Sequence, residues 1–340
     1  MSLVLYELPS SYYQTHVPGE QGDYRTSPTL TPWFGRLVAR HFEALWRSVG
    51  SPERYDLVEI GGGDGSLAEA FLESSTGRFA EALSWWFVEP FEQIQQTQRF
   101  RLSRFSNVQW VQKIEDLDPI EGAVLANEVL DNFPVRVFEV SDGAALEVWV
   151  GADEDGKLSE HLRPIQDPIP MRVELALRVL DDGDRFEVSD HIEQWCERLS
   201  AVLRKGHCIL IDYGASEPEI WKQRPAGTLV TYRQGQLGVD PLSSPGEADI
   251  TAHVNFAHLI SCMAANGIVE QELKTQRQWL LDIGLAEVSD QIRSEQMEAA
   301  SSGDHGSTVG LLAERGRVEA LAARGGLGDL LVFIGAKGLP

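Results

Sequence analysis

Short runs of apolar, β-forming residues alternate along the chain with stretches whose apolar positions repeat at helical spacing. That alternation predicts an α/β fold built on a sheet of buried strands. Residues 57–60 form the first run. The cluster Gly61-Gly62-Gly63-Asp64-Gly65 follows, and 66–72 then carries helical spacing, so strand, tight turn and helix are expected in that order. Further buried strands are expected over 84–89, 108–111, 122–127 and 207–214, with helices over 91–104 and 190–203. In the second helix Ile192, Trp195, Leu199 and Val202 share one face. Two closing strands are expected at 268–275 and 330–335.

Breaker residues set the layout around these elements. Residues 19–28 read as a loop by their Gly and Pro content, and Thr31-Pro32 opens an amphipathic helix over 33–42. Residues 1–54 are therefore expected to form a loop and helix that fold over a ligand, and 55–340 the main domain. Runs at 135–140 and 145–150 flank Ser141-Asp142-Gly143 and predict a hairpin. With an acidic loop at 151–155 and the proline-bearing 164–170, the hairpin marks an insertion at about 133–190. The Pro- and Gly-rich 216–248 exceeds the ~15 residues beyond which a loop in a compact domain is usually functional or disordered, giving a second insertion at about 215–250. Mainly helical sequence gives a third at about 277–325. Residues 249–256 are expected to enter a helix that ends at Asn266. No internal repeat is present.

The glycine turn carries the first candidate chemistry. Gly61, Gly63 and Gly65 let the backbone turn sharply and let a ligand approach the main chain, and the helix beginning near Ser66 points free N–H groups at it. A dinucleotide fingerprint has a third glycine where this chain has Ser66, and Glu59 would repel a pyrophosphate at the mouth of the turn. S-adenosylmethionine has no phosphate and carries an α-ammonium and a sulfonium, so an acid beside the glycines favours it over NAD. Glu89 ends the second strand near the ~20-residue separation at which such folds set an acid on ribose hydroxyls. Arg25, in the loop upstream, suits the methionine carboxylate, since a guanidinium grips a carboxylate with two hydrogen bonds. Glu115 lies in a loop where an adenine ring would rest. Asn127 ends the fourth strand, and Glu128, Asp131 and Asn132 follow outside it, where open α/β sheets bind their ligands.

Composition narrows the class further. Fifty-two acidic residues against 29 basic ones give a formal charge of −23, which repels nucleic acid and anionic membranes and attracts basic partners. The 43% hydrophobic content suffices for a full core, and no run reaches the ~18 apolar residues of a membrane span. A first segment without a basic and apolar leader pattern gives the expectation of a cytoplasmic protein. Cys196, Cys208 and Cys262 are far apart in sequence and form no C-x-x-C pair, so they are expected to be buried or inert thiols, with no metal site.

Several stretches together resemble the MidA-type methyltransferases, relatives of the mitochondrial complex I assembly factor that methylates arginine. They are Gly22-Asp23-Tyr24-Arg25-Thr26-Ser27-Pro28, Glu59-Ile60-Gly61-Gly62-Gly63-Asp64-Gly65-Ser66-Leu67, Ala126-Asn127-Glu128-Val129-Leu130-Asp131-Asn132-Phe133-Pro134, Ile211-Asp212-Tyr213-Gly214 and Gly246-Glu247-Ala248-Asp249-Ile250-Thr251-Ala252-His253-Val254. The resemblance covers roughly 12–275. It implies a Rossmann-like, seven-stranded class I methyltransferase sheet, mostly parallel with an antiparallel last strand, S-adenosyl-L-methionine as cofactor, and ω-N-methylation of an accessible arginine in a protein. The family often carries an aromatic-acid pair where this chain has Val129-Leu130, a departure that bears on the substrate pocket.

A guanidinium is protonated at neutral pH, with a pKa above ~12, so its methylation calls for acids that orient it, bear its charge and help remove a proton. Glu128 and Asp131 are assigned as that clamp. Asp249 and His253 would share one face if their segment is helical, and are given a supporting role with His253 as a proton acceptor. A helix-capping role for Asp131 and a core role for His253 are the competing readings. Two other classes of function stay open at this point. One is a cofactor-binding assembly factor with vestigial activity, and the other a small-molecule N- or O-methyltransferase. The inserts are also candidates for a homodimer contact.

Overall fold

The computed structural model describes residues 1–19, 26–166, 169–233 and 235–339, and Arg25 lies outside the described residues. The chain divides into two compact units. A sheet unit comprises Val17–Asn127, Leu199–Ile211 and Gly267–Pro340, and an insert unit comprises Met1–His16, Glu128–Arg198 and Asp212–Asn266.

The sheet unit is built on seven strands: β1 (Tyr55–Ile60), β2 (Leu83–Val88), β3 (Val108–Val111), β4 (Ile120–Asn127), β5 (Leu203–Asp212), β6 (Val269–Thr275) and β7 (Leu331–Lys337). Their order is β6-β7-β5-β4-β1-β2-β3. Pairing is parallel between β2 and β3, β1 and β2, β1 and β4, and β4 and β5, while β6 and β7 run antiparallel. This is the expected mostly parallel α/β sheet with an antiparallel edge. All six residues of β1 are buried, as a parallel strand covered on both faces requires.

Helix α1 (Trp33–Ser48) outruns the expected 33–42 because Phe42 and Trp46 continue its buried stripe past that point. It packs on α2 (Ser66–Ser74), where Gly35 permits the approach: a Cβ there would lie 2.8 Å from Ala70 Cβ. After β2 comes α3 (Glu92–Arg101), shorter than expected because Leu102 already leaves helical geometry. The C-terminal insertion is helical as read, with Leu285–Ser301 and His305–Ala320 as its long elements. Asp304 caps the latter by accepting the Ser307 N–H at 3.0 Å.

In the insert unit the expected hairpin is real and larger. Arg136–Ser141 and Ala144–Ala152 pair antiparallel across Asp142 and Gly143, whose φ angles of 52° and 72° are those of a two-residue turn matched to strand twist. Leu158–Pro164 and Arg185–Val188 add to its two sides, giving a four-stranded sheet around Phe138, Val140, Phe186 and Trp221. The 216–248 region is not a plain loop either. Val230–Arg233 pairs with both Gln236–Leu237 and Asp249–Thr251.

Two helices of this unit matter below, α4 (His191–Val202), whose last residues belong to the sheet unit, and α5 (Phe256–Ala265). The expected helical entry over 249–256 is corrected. Asp249–Thr251 and Val254–Asn255 are extended, and α5 begins only at Phe256. The reason lies in distant partners. The Ala252 N–H donates to the Asp131 carbonyl and the Val254 N–H to the Tyr213 carbonyl, both at 2.8 Å, so neither is available to a helical turn. Asn255 then caps α5 through the His258 N–H at 3.2 Å.

Candidate active site

In the sheet unit, strand register brings the candidate cofactor residues together. Ile60 pairs with Val88 on one side and with Ala126 on the other, so the next residues, Gly61, Glu89 and Asn127, emerge side by side at the carboxyl edge. Open α/β sheets bind ligands at that edge. Gly61, Gly63 and Gly65 hold φ angles of 64°, 50° and 83°, in the left-handed region where glycine is free of Cβ strain.

The turn is braced from α3, a support that motif reading does not reveal. Gln98 Nε2 donates to the Gly63 carbonyl at 2.9 Å, and Arg101 donates to the Asp64 carbonyl at 2.9 Å and to Asp64 Oδ2 at 2.8 Å. Asp64 Oδ1 in turn accepts the Ser66 N–H at 3.0 Å, where α2 starts. Gly62 is needed for space: a Cβ there would sit 2.3 Å from Phe87 Cε1 and 3.0 Å from Glu59 Cδ. Gly62→Ala is expected to lower stability by about 1–3 kcal/mol, the usual range for overpacking, and to weaken S-adenosylmethionine binding, checked by thermal melts with and without ligand.

Glu59 is only 3% exposed, and burial pushes its pKa up to about 8. Its Oε2 is buried without a hydrogen-bond partner among the described residues. A buried carboxylate oxygen with no donor is the feature a primary ammonium would satisfy. Glu89 is equally buried, with a pKa raised by burial to about 7, and its Oε1 accepts the Phe91 N–H at 3.1 Å. Glu115 stands exposed on the turn Ile114–Asp116 that follows β3, and Asn127 is half-buried. The structure thus gathers Glu59, the glycines, Glu89 and Asn127 at one edge, and the residues present fit a nucleoside carrying an amino-acid chain.

The insert unit begins with a second cluster. Glu128 has a φ of 54°, a left-handed conformation rare for a residue with a Cβ, and the turn Leu130–Asn132 follows. Asp212 holds this turn: its Oδ2 accepts the N–H groups of Val129, Leu130 and Asp131 at 3.1, 2.8 and 3.3 Å, and its Oδ1 accepts its neighbour Tyr213 at 2.8 Å. The sequence marks Asp212 only as one more acid at a strand end, and its capping of another segment is the part that reading missed. Asp131 therefore does not cap the turn, because Asp212 does.

Asn132 fixes the far side of the loop. Its Nδ2 donates to Asp249 Oδ1 at 3.0 Å and its Oδ1 accepts the Tyr13 hydroxyl at 2.9 Å. Asp249 also accepts the Ile250 N–H at 2.9 Å and is fully buried. Asp131 lies among these groups. Burial first, then the charges of Asp212, Asp249 and Glu128, push its pKa well above the carboxylate range, and its Oδ1 is buried without a hydrogen-bond partner among the described residues. Asp212 is raised to about 7 by burial, against the opposing pull of its backbone donors. Three buried carboxyls and half-buried Glu128 repel one another here, and a planar cation with several N–H donors would complement them.

His253 does not share a helical face with Asp249, since that segment is extended. Its N–H donates to Thr228 Oγ1 at 3.0 Å, while Thr228 is anchored in turn by Glu187, so the backbone here is structural. Burial, aided by Arg224, lowers the His253 pKa to about 4, which leaves the ring neutral at pH 7 and a weak base.

Sheet order, glycine turn and the acids at the strand ends define the class as a nucleoside-binding α/β enzyme of Rossmann-like architecture. The sequence model of the family described as "Putative S-adenosyl-L-methionine-dependent methyltransferase" matches residues 37–274. A Drosophila melanogaster protein named protein arginine methyltransferase NDUFAF7 homolog, mitochondrial, is 30% identical over 314 residues, covering 82% of this chain and 70% of its own length. The Bos taurus protein arginine methyltransferase NDUFAF7, mitochondrial, is 27% identical over 309 residues, covering 80% and 67%. A protein from Burkholderia thailandensis crystallised with S-adenosyl-homocysteine superposes with a TM-score of 0.85 at 26% identity, over 100% of this chain and 87% of that one. The chain belongs to this family of S-adenosyl-L-methionine-dependent methyltransferases. Its cofactor is S-adenosyl-L-methionine, as the charge at the glycine turn leads one to expect.

Proposed function

We propose that this methyltransferase acts on the guanidinium of an arginine in a protein. The carrying observation is the cluster of buried Asp131, Asp212 and Asp249 with half-buried Glu128 beside them, in which one Asp131 oxygen has no hydrogen-bond partner among the described residues. The names of the relatives at 27–30% identity, protein arginine methyltransferase, support the same acceptor. Bound S-adenosylmethionine supplies a methyl group on a sulfonium, activated for in-line displacement.

The residues of this chain have the remaining work. Glu59 pairs with the cofactor's ammonium and Glu89 accepts its ribose hydroxyls, while Arg25, Glu115 and Asn127 are assigned to its carboxylate and adenosine portions. Glu128 and Asp131 hold the guanidinium and so fix the orientation of its nucleophilic nitrogen. As the new N–C bond forms and the C–S bond breaks, one N–H proton must leave, so that the product is again a monocation. Asp131 takes that proton. Once ionised by the incoming cation, a carboxylate in so desolvated a place is a stronger base than an exposed one. Asp212 and Asn132 position the loop and Asp249 supports it. His253 is kept as a neutral wall of the pocket, since a pKa of about 4 suits it poorly to proton removal.

Cytoplasmic location belongs to the proposal, although the relatives are named mitochondrial. So does self-association, for which exposed Met297, Val309 and Leu312 on the C-terminal helical insertion are the candidate contacts. The acceptor is tested by incubating the protein with methyl-labelled S-adenosylmethionine and a protein extract, then hydrolysing the product to amino acids. Label recovered as ω-N-methylarginine is the expected result. Label in methyl-lysine, in protein carboxyl esters or in small molecules overturns the arginine assignment, and no transfer at all favours a cofactor-binding assembly factor.

A further inference from the structure

Cys208 lies fully buried in β5, where burial pushes its thiol pKa up, and Cys196 is buried as well. Cys196 on α4 and Cys262 on α5 meet within the insert unit, where Cys196 hydrogen-bonds Cys262. Glu193 stands three residues before Cys196 and His258 four before Cys262, so each helix presents two of the four residues on one face. Glu193 Oε1 and His258 Nε2 are 3.4 Å apart. One ligand atom each from Glu193, His258 and Cys262 lie within 4.8 Å of one another, the one such group among the described residues.

We propose that Glu193, His258 and Cys262 form a binding site for a thiophilic divalent cation of the zinc class, clamping α4 to α5, with Cys196 hydrogen-bonded to the Cys262 sulfur beside it. The donor set of sulfur, imidazole nitrogen and carboxylate oxygen is the one zinc takes, and three protein donors leave the fourth tetrahedral position to water or another ligand. Bonds of ~2.3 Å to sulfur and ~2.0–2.1 Å to nitrogen or oxygen put tetrahedral ligands roughly 3.3–3.8 Å apart; the Glu193–His258 pair is already at that spacing, and Cys262 lies within 4.8 Å of both. Burial of Cys196 and His258 fixes one side of the site, and exposed Glu193 leaves an entry for the ion on the other.

The site shares no residue with the glycine turn or the acid loop, so it stands independently of the acceptor proposed above.

The test is titration of the reduced, metal-stripped full chain with cobalt(II), followed by absorbance. One equivalent is expected to give a thiolate-to-cobalt charge-transfer band with strong tetrahedral visible bands, and zinc(II) is expected to displace it. Cys262→Ser should lose much of the charge-transfer intensity. It should also weaken binding beyond the ~10-fold that even outer-shell changes cost. Cys208→Ser should change neither. A spectrum without thiolate character overturns the proposal, and so does binding that Cys262→Ser leaves intact. In case Cys262→Ser fails to fold, alkylation of the wild type provides the check. Zinc should protect Cys262, and Cys262 labelling that is equal with and without zinc would overturn the site.

Discussion

Asp131→Asn is expected to lower methyl transfer to arginine by about 10²- to 10³-fold, the range for losing a positioned proton acceptor, with S-adenosylmethionine affinity unchanged. The substitution keeps the shape of the side chain and removes its ability to ionise. In the wild type the Asp131 Oδ1 has no donor among the described residues, and its pKa is raised by burial and by Asp212, Asp249 and Glu128. The neutral amide relieves that crowding, so the variant should be at least as stable as the wild type. Loss of activity without loss of stability separates the proposed role from a structural one. Single-turnover kinetics and thermal melts on the same preparation give both numbers, and a wild-type rate would remove Asp131 from the chemistry.

The second large effect concerns pH. Glu59 and Glu89 keep their protons in the folded chain up to about pH 8 and about pH 7, while an unfolded glutamate releases its proton near 4.5. Between those limits the folded state binds more protons than the unfolded state, so stability of the free protein falls as pH rises. Each such group contributes a slope approaching ~1.4 kcal/mol per pH unit. Asp212, with a pKa of about 7, adds to the same trend. Melting temperature is therefore expected to fall from about pH 5 to about pH 8, and S-adenosylhomocysteine, whose ammonium stabilises the ionised Glu59, should recover most of that loss. Glu59→Gln should flatten the profile and weaken cofactor binding by ~10- to 100-fold, as expected for removing a hydrogen-bonded partner of a charge. A free-protein profile that rises through this interval would contradict the buried, protonated state of these acids.

What was legible in the sequence is what local chemistry determines. The glycine turn could be read because positive φ at Gly61, Gly63 and Gly65 is a property of those residues themselves. The central strands could be read because β1 and β4 lie almost wholly buried between neighbouring strands and run mainly apolar. Parallel register then does the rest, bringing Gly61, Glu89 and Asn127 side by side at one edge without any further signal.

What was not legible depends on partners far away in the chain. Residues 249–256 look able to enter a helix, and the helix begins only at Phe256 because the Asp131 and Tyr213 carbonyls take the Ala252 and Val254 N–H groups. Asp212 is one acid among several until its oxygens are seen to hold the turn after β4. The hairpin of the first insertion gave no sign of its two added strands, since strand pairing is nonlocal. Cys196 and Cys262 looked unrelated because no short C-x-x-C spacing joins them. The cue was present in halves, Glu193 with Cys196 and His258 with Cys262, each at a helical interval. Bracing of the glycine turn by Gln98 and Arg101 was likewise invisible, their helix being polar enough to pass for a solvated surface.

The most direct test of the cofactor site is calorimetric titration with S-adenosylmethionine at pH 6.5 in two buffers of different ionisation enthalpy, for the wild type and Glu59→Gln. At that pH a Glu59 with a pKa of about 8 is protonated in the free protein and must release its proton to pair with the ammonium. The wild type should bind more tightly and release about one proton more per ligand than the variant. Equal affinities with equal proton release would contradict the placement of the cofactor's ammonium on Glu59, and with it the reading of the glycine turn.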